Sequence, residues 1–109
     1  MQGSQLTIYA NATHKMAHMP LVDWVLGEVA RCDIQGATVV EASDAIDPHG
    51  HYHAVRFFEL ADTPLTITVA ATDARIDALL AHLARADTEL FYTRIALEFG
   101  ELGPPDVTP

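Results

Sequence analysis

Two stretches of this chain repeat their apolar residues at helical spacing, and both are bracketed by stretches in which apolar and polar residues alternate. Val22, Val25, Leu26 and Val29 share one side of a helix read from Pro20 to Cys32. Pro20 opens it, at a position where the first turn lacks amide partners anyway. Ile76, Leu79, Leu80 and Leu83 do the same for a second helix, capped by Thr72 or Asp73 and ending around Ala86, with Arg75, His82 and Arg85 on another face. His82 is read there as a solvated surface residue. Before, between and after these helices the period changes from 3.6 to 2, the signature of half-buried strands.

Leu6, Ile8 and Ala10 alternate with Thr7 and Tyr9, and Leu65, Ile67 and Val69 alternate with Thr66 and Thr68. Phe91, Ile95, Leu97 and Phe99 alternate with Tyr92, Arg94 and Glu98. Ala37 to Ala42 is a further strand, reached from the first helix through Gly36, whose backbone freedom lets the chain turn. Val55, Phe57 and Phe58 restart a strand that ends near Leu60, joined to Leu65 by the Ala61-Asp62-Thr63-Pro64 hairpin. Asn11 to Met19 is polar and breaks the pattern, so His14 and His18 fall in a loop. Asn11-Ala12-Thr13 fits a glycosylation acceptor, but reads more simply as a polar strand end. Gly27 weakens the first helix by roughly 1 kcal/mol relative to alanine, which means close packing or tolerated weakness.

The order is strand, helix, strand, strand, helix, strand. That is the α+β class, a ferredoxin-like βαββαβ sandwich in which two helices cover one face of an antiparallel four-stranded sheet. The other face is open and needs a partner. Its expected residues, Thr7, Tyr9, Thr66, Thr68, Tyr92 and Arg94, are polar or amphipathic and suit a wet oligomer interior. Residues 1–102 form a single domain, and the Gly103-Pro104-Pro105 run opens a disordered tail over 103–109.

Only 6 Lys and Arg stand against 15 Asp and Glu, a formal net charge of -9, so nucleic acid and anionic membranes are not expected partners. Met1 to Ile8 lacks a signal-peptide pattern and no stretch is long enough to span a bilayer; the expected location is the cytoplasm. The single cysteine, Cys32, excludes an intrachain disulfide and reads as a small apolar filler.

The run Pro20-Leu21 through the first helix to Gly36-Ala37-Thr38-Val39, then Tyr52-His53, Thr63-Pro64 and Leu65 to Thr72, resembles the uncharacterised bacterial branch of the PII-like superfamily. The resemblance extends over roughly Leu6 to Phe99. It implies a homotrimeric signalling protein, not an enzyme, whose sheets face inward and whose small effectors bind in clefts between subunits. In PII proteins a glycine, an apolar residue and a threonine at the start of the second strand line an adenine pocket, and Gly36, Ala37 and Thr38 match them. The exposed loop Ser43 to His53 would be the T-loop, which contacts a target protein such as a transporter or an enzyme.

The chain also departs from that pattern. The phosphate-holding Gly- and Lys-bearing loop is replaced by Arg85-Ala86-Asp87-Thr88-Glu89, and the last strand offers only Arg94 as a ligand-binding cation. A triphosphate needs several cationic or amide donors, so a less charged effector fits better: AMP, ADP, a cyclic nucleotide or bicarbonate. No cofactor is required.

Six histidines are many for this length, and His49, His51 and His53 stand two apart. On an extended segment they point the same way and can hold Zn, Cu or Ni, which makes a trimeric metal-binding protein an alternative reading. A pH-sensitive loop without metal is another. A small ferredoxin-like oligomeric enzyme is the remaining one, with His53, Tyr9, Tyr92 and Arg94 as candidates, but no base and nucleophile are tied together by spacing.

Overall fold

The computed structural model describes residues 1–16, 18–41, 64–86 and 89–103. Its elements are β1 (Gln2–Asn11), β2 (Lys15–Met16), β3 (Met19–Pro20), α1 (Leu21–Arg31), β4 (Thr38–Glu41), β5 (Pro64–Ala71), α2 (Asp73–Leu83) and β6 (Phe91–Glu98). The main sheet has the order β4-β5-β1-β6, and every pairing in it is antiparallel. The segments read from the sequence contain one strand more than a four-stranded sheet needs. Here Pro64–Ala71 pairs directly with both β1 and β4, while Val55 to Leu60, the T-loop segment and the expected tail from Pro104 onward lie outside the described residues.

The core lies between the sheet and the helices. Leu6, Ile8 and Ala10 of β1 and Leu65, Ile67, Val69 and Ala71 of β5 supply one side; Leu21, Val25 and Val29 of α1 and Ile76, Leu79 and Leu83 of α2 supply the other. The most buried of these, Leu6, Val25, Ile67, Ile76 and Leu79, are wholly removed from solvent. Each such side chain is worth roughly 1.5–3 kcal/mol of transfer free energy. Cys32 is buried at the edge of this core and its thiol pKa is pushed up, first by burial and then by the nearby Glu28 carboxylate. A thiol so placed is packing, as its apolar reading expects.

The polar stretch after β1 is not a plain loop. Asn11 is buried, and its Oδ1 accepts from Thr13 N at 3.0 Å and Thr13 Oγ1 at 2.9 Å, closing an Asx turn that ends the strand. The chain then makes the short β2–β3 hairpin, with His18 in the left-handed region at φ 67°. Leu21 N donates to His14 O at 2.8 Å, which fixes the entry to α1.

Two expectations are corrected. The turn after α1 is made by Asp33, at φ 60°, and not by Gly36, which is absent from the positive-φ residues. Ile34 N donates back to Val29 O and Asp33 N to Ala30 O, so the helix closes before Gly36 is reached. The open face is also composed differently. In antiparallel pairing opposite residues share a face. Tyr92 stands opposite Ile8 and Arg94 opposite Leu6, on the helix side of the sheet. Phe91, Thr93 and Ile95 stand opposite Tyr9, Thr7 and Gln5 and take the open side. Alternation separates the two sets of β6 residues but does not say which set faces inward. At this edge strand the helix side is occupied by polar contacts to α2, and the apolar set is left outward.

The open face is therefore ordered in rows. Thr38, Thr68, Thr7 and Thr93 follow one another across all four strands, with Thr7 Oγ1 and Thr68 Oγ1 3.4 Å apart. On one side runs Val40, Thr66, Tyr9 and Phe91; on the other, Ala70, Gln5 and Ile95. Val40 is 57% exposed, Phe91 43% and Ile95 56%. The Tyr9 and Phe91 rings meet edge to face at 5.4 Å between centroids.

Candidate ligand-binding site

Beyond the ends of β5 and β6 the turn after α1, the start of α2 and the residues after β6 border an open cavity of about 520 Å3. A volume of that order suits a small organic ligand. Gln35 and Gly36 line it after α1, Ala70, Ala71 and Thr72 at the end of β5, Arg75 from α2, Phe99 and Glu101 after β6, and Met1 before β1, whose ammonium donates to Phe99 O at 2.9 Å. Gly36 is exposed, and a Cβ built on it would meet nothing within 4 Å. The glycine is thus not demanded by backbone angle or by packing, and it leaves this wall bare of side chain.

The cavity combines an aromatic ring, an amide, a hydroxyl, two cations, Arg75 and the Met1 ammonium, and an anion. Thr72 precedes α2 but its hydroxyl makes no capping bond. Arg75 Nη2 donates to Asp33 Oδ2 at 3.2 Å; both side chains are exposed, at 48% and 83%, so the pair is weak.

Of the residues singled out in the sequence, Gly36 lines this cavity, and Ala37 and Thr38 continue from it into β4, where Thr38 is exposed on the open face. The structure does not bring Arg94 to them. Its Nε donates to Ser4 Oγ at 3.0 Å, Nη1 to Asp77 Oδ1 at 2.7 Å and Nη2 to Asp73 Oδ1 at 3.1 Å. Ser4 Oγ also donates to Asp73 Oδ1, and this bond, followed by Arg94, holds the Asp73 carboxyl below its usual range. The same carboxylates push the Arg94 pKa up, Asp77 first. Arg94 thus ties β6 to the first turns of α2. Sequence spacing puts Arg75 on a polar helix face, and only the fold sets it in the same cavity as Gly36.

His49, His51 and His53 lie outside the described residues, and among the described residues no group of three or more His, Cys, Asp or Glu side chains could hold a metal ion. Tyr9 sits on the open face and Tyr92 on the helix side. A second, apolar cavity of about 290 Å3 lies between the end of α2 and β6, lined by Ile8, Leu80, Leu83, Leu90 and Tyr92 among others, with no charged group in its wall among the described residues. Among the described residues no helix is long and apolar enough to cross a membrane.

Comparison with known proteins agrees with this fold. The model of the DUF190 family, described as Uncharacterized ACR, COG1993, matches residues 3–98. No curated protein matches the chain. Among solved structures, CPII of Thiomonas intermedia K12, bound to ADP, AMP and acetate, superposes with a TM-score of 0.57 at 16% identity, covering 90% of each chain. Its apo form, a nitrogen regulatory PII-like protein, gives 0.54 at 17% identity over 89% of this chain and 92% of that one. A structure from Thermus thermophilus described as a PII-like signaling protein gives 0.53 at 14% identity over 89% of each chain. At such identities the likeness is one of fold, and the match over residues 3–98 supplies the membership: the chain belongs to the DUF190 family and has the PII-like, ferredoxin-like fold.

Proposed function

We propose that this protein is a PII-like regulator that binds a small effector, an adenine nucleotide, in the cavity bounded by Gly36. The observation that carries the reading is the bare wall at Gly36, a glycine that the fold itself does not require, facing a cavity of ligand size. CPII, of the same fold, is bound to ADP and AMP, and in another structure to ADP, AMP and bicarbonate. Gly36, Ala37 and Thr38 then contact the base, and Arg94 acts as a positioning residue that fixes the start of α2. The assembly is a homotrimer with the open face turned inward, and the segment Ser43 to His53 contacts a target protein. Its work is binding and signalling, without catalysis.

Thermal unfolding of the full chain with AMP, ADP, ATP and cyclic AMP tests the effector. A ligand that binds only the folded state raises the melting temperature by mass action. No shift with any of the four at millimolar concentration rejects the nucleotide reading.

A further inference from the structure

We infer that Arg75 is the anion-recognition residue of the Gly36 cavity and restricts it to nucleotides carrying one phosphate. This rests on the reading of the cavity as an effector site and names the ligand class it takes. The chain has 6 Lys and Arg. Among those in described residues, Arg31 is bound to the buried Glu28, Arg94 to Ser4, Asp73 and Asp77, and Lys15 lies in the β2–β3 hairpin. Arg85, just past α2, lies close enough to act on Glu28 and Cys32 through its charge. Arg75 is the side-chain cation in the cavity wall among the described residues; the Met1 ammonium, which also belongs to this wall, is held by Phe99 O at 2.9 Å.

The surroundings of Arg75 set how much negative charge the cavity tolerates. Its ion pair with Asp33 is solvent-exposed and 3.2 Å long, so an incoming oxyanion can displace the carboxylate at small loss. Asp33 cannot move far, because it is the left-handed residue that closes α1. Glu101 stands elsewhere in the same wall. The planar fork of Arg75 can grip one phosphate with two parallel bonds, but with Arg75 and the Met1 ammonium set against Asp33 and Glu101 the cavity holds no surplus positive charge for more. Among the described residues the further phosphates of a triphosphate would find only the Met1 ammonium, already bonded to Phe99 O at 2.9 Å, and would face both carboxylates. Thr72, whose hydroxyl makes no capping bond, adds a neutral donor to the same wall.

Calorimetric titration of the full chain with adenosine, AMP and ATP, in the absence of divalent cations, tests this on the wild type, Arg75→Gln and Asp33→Asn. Both altered side chains are exposed, so the fold is retained, as circular dichroism will verify. AMP should bind about ten- to a hundredfold more tightly than adenosine, the range expected for a charge-assisted bond, and ATP no more tightly than AMP. Arg75→Gln should bring AMP down to the affinity of adenosine and leave adenosine unchanged, and Asp33→Asn should tighten AMP several-fold. If adenosine binds but Arg75→Gln leaves the ratio of AMP to adenosine as in the wild type, or if ATP outbinds AMP, the role of Arg75 is wrong while the cavity stands. If neither adenosine nor either nucleotide binds, the effector site itself is wrong and the inference falls with it.

Discussion

His82 Nδ1 lies 2.8 Å from Glu28 Oε2, and this contact joins α1 to α2 across 54 residues of sequence. Glu28 is 4% exposed, and its other oxygen accepts from Arg31 Nη1 at 2.9 Å. The hydrogen bond to His82 is the foremost cause that holds the Glu28 carboxyl below its usual range, against the opposing effect of burial. The unfolded chain therefore takes up its proton at a higher pH than the folded one. The pair's stabilisation is present above the ordinary glutamate range and is lost as pH falls through the lowered folded value. Urea unfolding from pH 7 to pH 3 should show wild-type stability falling more steeply at the acid end than that of His82→Ala. At neutral pH His82→Ala should be less stable by about 1–3 kcal/mol, because it strips a partner from a buried carboxylate. Parallel pH profiles for the two proteins would reject this role of the pair.

Gly3 and Gly27 should respond to alanine in opposite directions. A Cβ on Gly3 would lie 2.0 Å from the Ala71 carbonyl oxygen and 2.9 Å from the Phe99 ring. Backbone of the paired strand would have to move, which costs about 1–3 kcal/mol or more. A Cβ on Gly27 meets nothing within 4 Å, on an exposed face of α1. Gly27→Ala should stabilise by about 0.5–1 kcal/mol through helix propensity alone, read as a higher urea midpoint at unchanged slope.

The order of elements was readable because each buries one face, and burial imposes period 2 or 3.6 on the residues that provide it. Leu6 to Ala10 and Ile76 to Leu83 stand in the core as their spacing demands. What sequence spacing could not supply was the choice between equivalent alternatives. The two faces of β6 differ by one residue of phase, and only pairing with Ile8 and Leu6 sends Tyr92 and Arg94 to the helix side. His82 looked like a surface residue because its partner is on another helix. Gly36 drew notice by its sequence neighbours, whereas Arg75 reaches the same cavity only through the crossing of α2 over the sheet.

Asp33 takes a left-handed conformation that a β-carbon opposes, least so for asparagine and aspartate. Asp33→Ala should destabilise by about 1 kcal/mol, and Asp33→Asn should stay within about 0.5 kcal/mol of the wild type, since the exposed ion pair to Arg75 contributes little. Equal losses in the two variants would place the effect in the ion pair and not in the turn. Thermal or urea denaturation at neutral pH is sufficient to separate them.

Gly36 gives a clean probe of the cavity because the fold does not need it. Gly36→Val meets no neighbour at its Cβ and requires no forbidden backbone angle, so its unfolding midpoint should match the wild type within about 0.5 kcal/mol. The branched side chain should nevertheless weaken adenine-nucleotide binding by about tenfold or more, because it puts bulk on the wall where a ligand would lie. Undiminished binding by a stable Gly36→Val protein would mean that the nucleotide lies elsewhere.

The rows on the open face bear on assembly. The threonine row Thr38, Thr68, Thr7 and Thr93 separates the Val40, Tyr9 and Phe91 row from Ile95, so apolar contact and hydroxyl hydrogen bonds alternate down the sheet. If three copies turn this face inward, a charge at Ile95 enters an apolar contact and is repeated by symmetry. Burial of an unpaired carboxylate is strongly unfavourable, while on an isolated subunit the same side chain, 56% exposed, would stay in water. Ile95→Asp should therefore convert the assembly to a folded monomer, seen as a mass near 11.9 kDa by light scattering with an unchanged circular dichroism spectrum. Met19→Asp, at a comparably exposed apolar residue in the β2–β3 hairpin, should leave the assembly intact. Assembly that survives Ile95→Asp would rule out the open face as the contact between subunits.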